Sequence, residues 1–272
     1  LYQAIKNRRF PTAGGPPASA PRPHDACDAP APFHNLPAYA SPFVGRETEL
    51  ADLERLLVDD PDCRLLTVTG PGGIGKTQLA VEAARTTLRA FDAGVCFVPL
   101  DSHSPAEHIA AAIGELIGLR FHKGGTPRAQ LLHHLSDKHM LLVLDNLEHL
   151  LPAVPFISEL LQAAPQVKIL ATSRERLNLT GESVYQLHGM PYPDPGATQA
   201  LLGYGAVQLL IQYARLSHPH LALGREDFYA AGRVARLVEG MPLALVLAAG
   251  WLEVLSFDEI AGEIARNLDF LE

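Results

Sequence analysis

Short runs of apolar and β-branched residues alternate with longer amphipathic stretches over the middle of the chain. The short runs end at a glycine, a proline or a polar residue, and this punctuation is typical of buried strands. Strands that alternate with helices at this spacing predict a parallel sheet covered by helices on both faces. The predicted strands are residues 65–69, 94–100, 139–145, 167–173 and 184–187.

The stretches between these strands place leucine and alanine at spacings of three and four residues, which predicts helices. After Gly196 the strand signals stop, and four further stretches have the helical period. We therefore expect a three-layer α/β/α domain with five strands over residues 42–196, followed by a small all-helical subdomain over residues 197–272. The predicted helices are residues 47–58, 78–88, 106–119, 127–135, 150–163, 200–216, 226–238, 243–255 and 258–268.

The first 41 residues have a different character. Residues 1–10 are expected to be the last turns of a helix, and residues 11–42 are rich in proline, alanine, glycine and serine. Such a composition cannot bury enough apolar surface to fold alone, so it predicts an extended or disordered linker. We expect the end of this linker, residues 33–39, to dock on the domain that follows.

Composition narrows the class of protein. A net charge of −8 argues against nucleic-acid binding by this chain through bulk electrostatics. The three cysteines and 12 histidines form no zinc pattern and no disulfide framework. The first ten residues are basic and lack the apolar run of a signal peptide, and the apolar segment 241–255 is too short to span a bilayer. These features predict a cytoplasmic protein without a membrane partner.

A complete phosphate-binding motif follows the first predicted strand. Gly70, Gly75, Lys76 and Thr77 satisfy the pattern G-x-x-x-x-G-K-[ST], with a strand before it and a helix after it. Glycines let the backbone approach an anion closely, and the helix N-terminus adds N–H groups and a positive dipole. The lysine supplies a mobile charge, and the threonine hydroxyl is a hard oxygen that suits Mg²⁺.

An acid follows an apolar strand where a magnesium ligand is expected. Asp145 ends the third predicted strand, and its alternative is a strand-terminal residue that caps a turn. The next residue, Asn146, is a neutral amide that cannot accept a proton, whereas many P-loop ATPases have a second acid there. Glu148 is the remaining candidate for the catalytic base, and the alternative is a solvated loop residue. Hydrolysis is therefore expected to be slow at most.

Arg174 lies at the end of the fourth predicted strand. The carboxyl ends of parallel strands line the ligand crevice, so this arginine is expected to contact the γ-phosphate of a bound nucleotide. The alternative is a structural salt bridge with Glu175 or Glu182.

Five segments together carry a family resemblance: PFVGRETEL (42–50), TGPGGIGKT (69–77), LLVLDNLEHL (141–150), KILATSRERL (168–177) and VEGMPLALVLAAGWL (238–252). They resemble the NB-ARC-type signal-transduction ATPases of the STAND class. Within that class they resemble bacterial transcriptional regulators with an N-terminal activator region and C-terminal tetratricopeptide repeats. The resemblance covers residues 42–272.

The resemblance implies an adenine nucleotide with Mg²⁺ as the ligand. It implies that Phe43, Val44 and Arg46 border the adenine and ribose, and that Pro242 packs near the base from an ARC1-like helical subdomain. The predicted nucleotide-binding residues are Phe43, Val44, Arg46, Gly70, Gly72, Gly73, Ile74, Gly75, Lys76, Thr77, Gln78 and Pro242, the predicted metal ligands are Thr77 and Asp145, and the predicted catalytic residues are Asp145, Glu148 and Arg174.

These features predict an ATP/ADP-dependent switch in a regulatory protein. ADP is expected to hold a closed monomer, and exchange for ATP to reposition the helical subdomain and permit homo-oligomerisation. Two alternatives remain open: a P-loop ATPase or small-molecule kinase with continuous turnover, and a scaffold that has lost nucleotide binding.

Overall fold

Five parallel strands form one sheet in the order β2-β3-β4-β1-β5. The computed structural model describes residues 32–39, 42–100, 108–148, 154–197, 200–220 and 222–267. The predicted helix at residues 1–10 and most of the predicted linker lie outside the described residues. The strands are β1 (Leu65–Thr69), β2 (Val95–Pro99), β3 (Leu141–Asp145), β4 (Lys168–Ser173) and β5 (Glu182–Gln186). The prediction of a five-stranded parallel sheet is therefore confirmed.

The apolar strands are buried on both faces, which explains why they lack polar alternation. In β1, Leu65 joins the hydrophobic cluster on one side of the sheet, while Leu66 and Val68 join the cluster on the other side. This is the alternation expected of a pleated strand between two layers of helices. The layers contain α1 (Glu47–Val58) and α2 (Lys76–Thr86) on one side, and α3 (Ile109–Leu116), α4 (Pro127–Leu135) and α5 (Val154–Ala163) on the other.

A helical subdomain follows β5, as predicted. Its helices share a third hydrophobic cluster, which also includes Met190 from the preceding connection. The boundary predicted after residue 196 stays a prediction. The helices are α6 (Gly205–Ser217), α7 (Arg225–Leu237), α8 (Pro242–Gly250) and α9 (Phe257–Arg266), with short 3₁₀ turns at Leu201–Gly203 and Trp251–Glu253.

Several helix bounds differ from those predicted. The helix predicted at residues 243–255 begins with Pro242, which suits the first helical position, and ends at Gly250 before a 3₁₀ turn. The last helix begins earlier than predicted because Ser256 and Glu259 form a capping box. The helices predicted at 106–119 and 150–163 are described only from residues 108 and 154 onward.

The segment before the α/β domain docks on the edge of the sheet, as predicted. His34 forms a parallel bridge with Val95 of β2. The side-chain amide of Asn35 then donates to the Phe97 carbonyl at 2.8 Å and accepts from the Phe97 N–H at 2.6 Å. This side chain therefore imitates a backbone peptide and covers part of the β2 edge.

Two cysteines in the described residues are buried free thiols, Cys63 and Cys96. Burial raises the pKa of both, that of Cys96 to about 12, so both thiols stay protonated. No helix in the described ranges has the length and hydropathy needed to cross a bilayer.

Candidate nucleotide-binding site

The phosphate loop connects β1 to the first turn of α2. Gly73 and Gly75 have φ values of 75° and 92°, a left-handed conformation that favours glycine. At Gly73 a Cβ atom would lie 2.7 Å from the Leu243 Cβ of α8, so space also requires glycine there. The loop therefore has both the backbone shape and the open backbone surface that a phosphate needs.

Lys76 is folded back over this loop. Its Nζ donates to the carbonyl oxygens of Gly70 at 2.9 Å and Pro71 at 3.0 Å, and the residue is 7% exposed. Burial lowers the pKa of Lys76, and the nearby Arg174 lowers it further, whereas the carboxylates of Glu148 and Asp145 raise it. A bound phosphate would supply the negative charge that this buried ammonium lacks.

Thr77 and Asp145, the two predicted metal ligands, lie in direct contact, and their role as ligands stays a prediction. The Thr77 hydroxyl donates to Asp145 Oδ1 at 2.6 Å, and the Thr172 hydroxyl of β4 donates to the same oxygen at 2.6 Å. The backbone N–H of Asn146 in turn donates to Thr172 Oγ1 at 2.9 Å. Thr172 thus orients the carboxylate from behind, a role that sequence reasoning missed because Thr172 also fits the pattern of an ordinary strand residue.

This pair fits a magnesium ion. Mg²⁺ prefers hard oxygen ligands and usually completes its coordination with water and substrate phosphates. Thr77 and Asp145 offer a hydroxyl and a carboxylate oxygen side by side at the loop. Within the described part of the chain no group of three His, Cys, Asp or Glu side chains forms a metal cage. The donor set therefore suits an ion that a phosphate helps to hold, rather than a fully protein-coordinated metal.

Glu148 and Arg174 face each other across the site. Arg174 Nε lies 3.4 Å from Glu148 Oε1, and the Arg174 side chain is 66% exposed against 10% for Glu148. The second oxygen, Glu148 Oε2, is buried and has no hydrogen-bond partner in the described residues. The alternative role predicted for Arg174 was a salt bridge with Glu175 or Glu182, but its ion-pair partner in the structure is Glu148. Glu182 instead accepts the backbone N–H groups of Leu177 and Asn178.

The backbone conformation at position 146 favours asparagine. Its φ is 61°, in the left-handed region, where asparagine is among the most tolerated of the residues other than glycine. Its side chain lines the same cavity as Lys76 and Thr77. The position after the magnesium acid is therefore shaped by a turn, and a neutral amide occupies it.

A cavity of about 640 Å³ extends from the loop to the helical subdomain. One end is charged and polar, with the loop, Asn146, Glu148 and Arg174. The other end is largely apolar and is built from α6 and α8. The backbone N–H of Leu243 in α8 donates to the Gly73 carbonyl at 3.1 Å, which joins the two ends directly. The lining residues are Tyr39, Gly72, Gly73, Gly75, Lys76, Thr77, Gln78, Asn146, Glu148, Arg174, Leu209, Tyr213, Pro242, Leu243 and Val246.

Some predicted residues lie elsewhere. Arg46 is 3% exposed, and its guanidinium donates to the carbonyls of Ile74 at 3.0 Å and His188 at 2.9 Å. It therefore fastens the outer side of the loop, and it does not line the 640 Å³ cavity. Phe43 lines a neighbouring cavity of about 280 Å³, and Val44 packs against the helical cluster. Their contacts with adenine and ribose stay predictions.

Besides Asn146, five cavity residues were not among the predicted site residues: Tyr39, Leu209, Tyr213, Leu243 and Val246. Leu209 and Tyr213 are one turn apart on α6, where their spacing reads as part of an ordinary apolar helix face. Tyr39 ends the docked segment 33–39, whose docking was predicted but whose reach to the loop was not. Only the tertiary fold reveals that these residues line the cavity, because each comes from an element outside the P-loop motifs.

Residues 59–187 match the family model described as AAA domain. The match begins just before β1 and ends just after β5, so it includes the phosphate loop, Asp145 and Arg174. Over these residues the chain is similar to AAA-type P-loop domains.

Two curated relatives of this chain come from Mycobacterium tuberculosis. An uncharacterized protein is 32% identical over 84% of this chain and 55% of its own length. A protein named "Putative HTH-type transcriptional regulator" is 35% identical over 73% of this chain and 21% of its own length. The chain thus spans about half the length of the first relative and about a fifth of the second.

Two solved structures share the fold. A STAND protein (signal transduction ATPase with numerous domains) with a tetratricopeptide repeat sensor, from Pyrococcus horikoshii, matches with a TM-score of 0.52 at 18% identity, over 88% of this chain and 34% of its own. The ORC2 protein of Aeropyrum pernix, solved as ADPNP–ADP complexes, matches with a TM-score of 0.57 at 14% identity, over 84% and 70%. These likenesses show the P-loop NTPase fold.

Proposed function

We propose that the chain is the ATP/ADP-binding switch module of a bacterial regulatory protein. In this proposal the nucleotide phosphates bind the loop, Thr77 and Asp145 hold Mg²⁺ with them, and the nucleoside extends toward α6 and α8. Nucleotide exchange then changes how the helical subdomain sits on the loop. The relative named as an HTH-type regulator and the solved STAND protein support this reading.

The contact between Gly73 and Leu243 carries the proposal. The Leu243 N–H donates to the Gly73 carbonyl at 3.1 Å, and a Cβ on Gly73 would lie 2.7 Å from the Leu243 Cβ. The helical subdomain therefore rests on the same peptide segment whose N–H groups would bind phosphate. A change in that backbone on exchange of nucleotide would move α8 directly, without a relay through other elements.

Arg174 is the proposed sensor of the third phosphate. Its side chain is largely exposed, and its ion pair with Glu148 spans 3.4 Å, which is weak in contact with solvent. A γ-phosphate carries more negative charge than one carboxylate and would compete for the guanidinium. ATP would then take Arg174 from Glu148, and ADP would leave the pair intact. This differential contact is what allows one nucleotide to favour one state.

In this proposal the chain hydrolyses ATP slowly at most. A hydrolytic site needs a group that orients or deprotonates the attacking water. The residue directly after Asp145 is an amide, and Glu148 shares its carboxylate with Arg174. Both features favour a long-lived ATP state over fast turnover.

Other parts of the proposal concern the whole protein. Transcriptional control would act on DNA through a domain outside this chain, in the cytoplasm, and the ATP state would assemble into a homo-oligomer. The net charge of −8 supports the first point, because this chain offers no basic surface in bulk.

Two measurements on the purified chain test the switch. The nucleotide released on denaturation is expected to be ADP. Light scattering after size exclusion is expected to give a monomer with ADP and a larger species with Mg²⁺ and a non-hydrolysable ATP analogue. Equal mass and equal elution with both nucleotides would contradict a nucleotide-controlled assembly.

A turnover ATPase is the second candidate, and one observation favours it. Glu148 Oε2 is buried at the cavity and lacks a hydrogen-bond partner in the described residues, as a base awaiting a water would. Steady-state phosphate release at many cycles per minute, abolished by Glu148→Gln, would support the enzyme. Glu175→Gln is the control, because Glu175 does not line the cavity that Glu148 lines.

A further inference from the structure

The segment that leads to the cavity is firmly attached to the sheet. Asn35 makes two hydrogen bonds with the Phe97 backbone, at 2.8 and 2.6 Å. Leu36 is 9% exposed and joins the core under α2. Arg85 of α2 donates to the carbonyl of the next residue, Pro37, at 2.7 Å. Residues 35–37 are therefore held by backbone, core and helix contacts at once, so they fix where Tyr39 begins.

Tyr39 stands at the end of this anchored segment with a largely free ring. It is 45% exposed. Because residues 35–37 are already fixed, this segment has lost conformational entropy on folding although the aromatic ring at its end stays exposed. The ring is thus attached to a fixed segment while about half of the residue stays exposed.

The position of Tyr39 is at the junction of two cavities. It lines the 640 Å³ cavity together with Gln78 and also the neighbouring 280 Å³ cavity that contains Phe43. Gln78 directly follows Thr77 at the start of α2. Burial raises the pKa of the Tyr39 phenol, Asp145 raises it further, and Arg85 lowers it. Tyr39 thus lines the cavity beside the residue that follows the phosphate loop at the start of α2.

A second aromatic residue belongs to the same cavity from the helical subdomain. Tyr213 of α6 lines it beside Leu209, and Pro242 and Val246 of α8 line it too. These residues make this end apolar, whereas Lys76, Glu148 and Arg174 make the other end charged. A nucleotide has the same division, because its phosphates are charged and its base presents apolar faces that stack on aromatic rings.

We propose that Tyr39 contacts the nucleoside part of the bound nucleotide, opposite Tyr213, and so forms the linker-side wall of the base pocket. This rests on the proposed function, because it requires a nucleotide at the loop. It adds a nucleoside contact from the segment before the α/β domain, so that the linker, the loop and the helical subdomain would all touch one ligand.

The test separates the nucleoside from the phosphates. Dissociation constants for ADP and for inorganic pyrophosphate, both with Mg²⁺, are measured by competition against a fluorescent ADP analogue. The variants are Tyr39→Ala, Tyr39→Phe, which keeps the ring, and Tyr192→Ala as a control that is 37% exposed and outside the cavity. Thermal unfolding without nucleotide checks that the variants are folded.

Tyr39→Ala is expected to weaken ADP binding about tenfold, since loss of a stacked ring typically has this size. Pyrophosphate binding should stay within about twofold, because the loop is intact. Tyr39→Phe should keep most of the ADP affinity, and Tyr192→Ala all of it. The ring, and not the hydroxyl, then carries the contact.

Three results would overturn the proposal. Unchanged ADP affinity in Tyr39→Ala, with normal binding by the wild type, would refute the Tyr39 contact and leave the switch standing. Equal losses for ADP and pyrophosphate would show that Tyr39 acts through the loop. A wild-type chain that binds neither ligand would refute the proposed function and this inference together.

Discussion

The two ends of the cavity are built in different ways. At the loop end, several polar groups are already bonded within the protein: Lys76 to loop carbonyls, and Thr77 and Thr172 to Asp145. At the helical end, α8 meets the phosphate-binding peptide through side-chain packing of Leu243 on Gly73 and, among the described residues, one backbone hydrogen bond, from Leu243 to Gly73. The comparison suggests a fixed anion site beneath a wall that can be displaced.

The largest expected effect comes from removing the charge at the fixed end. Lys76→Ala should weaken ADP and ATP binding about 100-fold, because charge-assisted hydrogen bonds to phosphate are lost. Isothermal titration calorimetry with Mg²⁺ measures it, and Lys123→Ala, an exposed lysine in a loop, is the control. Unchanged affinity in Lys76→Ala would remove the loop from the nucleotide site.

The attachment of the loop is tested at Arg46. Arg46→Ala should reduce the free energy of unfolding by about 2 to 3 kcal/mol, because the carbonyls of Ile74 and His188 lose a buried cationic donor. Urea unfolding measures this, with Arg55→Ala, at an arginine whose side chain is 62% exposed, as the control. If Arg46→Ala weakened ADP binding without destabilising the fold, Arg46 would be a ligand contact, as the family resemblance implies.

Gly73 tests whether the helical wall is displaceable. Gly73→Ala adds a Cβ that would lie 2.7 Å from the Leu243 Cβ and sits at a φ of 75°, so a cost of about 1 to 2 kcal/mol is expected. The nearest atom to a Cβ on Gly72 is Arg174 Nη2 at 4.0 Å, so Gly72→Ala should cost less. Thermal unfolding compares them, and equal losses would mean that α8 does not press on the loop.

The smallest effect is expected at Arg174. Arg174→Ala should lower the preference for ATP over ADP about fivefold, because an exposed arginine–phosphate contact is partly screened by solvent. ADP binding itself should change little. Competition titrations with both nucleotides measure the ratio, and Arg176→Ala is the neighbouring control. A preference that survives in Arg174→Ala would assign the sensing of the third phosphate to another group.

Features that depend on one continuous stretch of residues could be predicted from the sequence. The apolar runs ending at Gly70 and Asp145 predicted two of the central strands, and the parallel sheet then predicted that both ends would meet. The rule works because side-by-side parallel strands bring their carboxyl ends to one edge. The same rule predicted that Arg174 would lie at this edge.

Features that depend on the distance between separate segments were not predictable. Glu148 and Arg174 pair because a loop after β3 and the end of β4 are adjacent, and the sequence offered Glu175 and Glu182 as equally good partners. The positive φ of Asn146 depends on how that loop turns. Tyr39 reaches the cavity only because Asn35 and Leu36 anchor the segment before it, and residue types alone do not reveal that path.

The amide of Leu243 offers the most direct test of a displaceable wall. Leu243 is the second residue of α8, where a helix provides no internal acceptor for its N–H, so the Gly73 carbonyl is its acceptor in this structure. Residue-resolved hydrogen exchange with ADP, and with Mg²⁺ and a non-hydrolysable ATP analogue, compares its protection in the two states. The account predicts a protected amide with ADP and faster exchange with the ATP analogue, while amides in β1 stay equally protected. Equal protection of Leu243 with both nucleotides, when both are bound, would contradict a switch that works by lifting α8 from the loop.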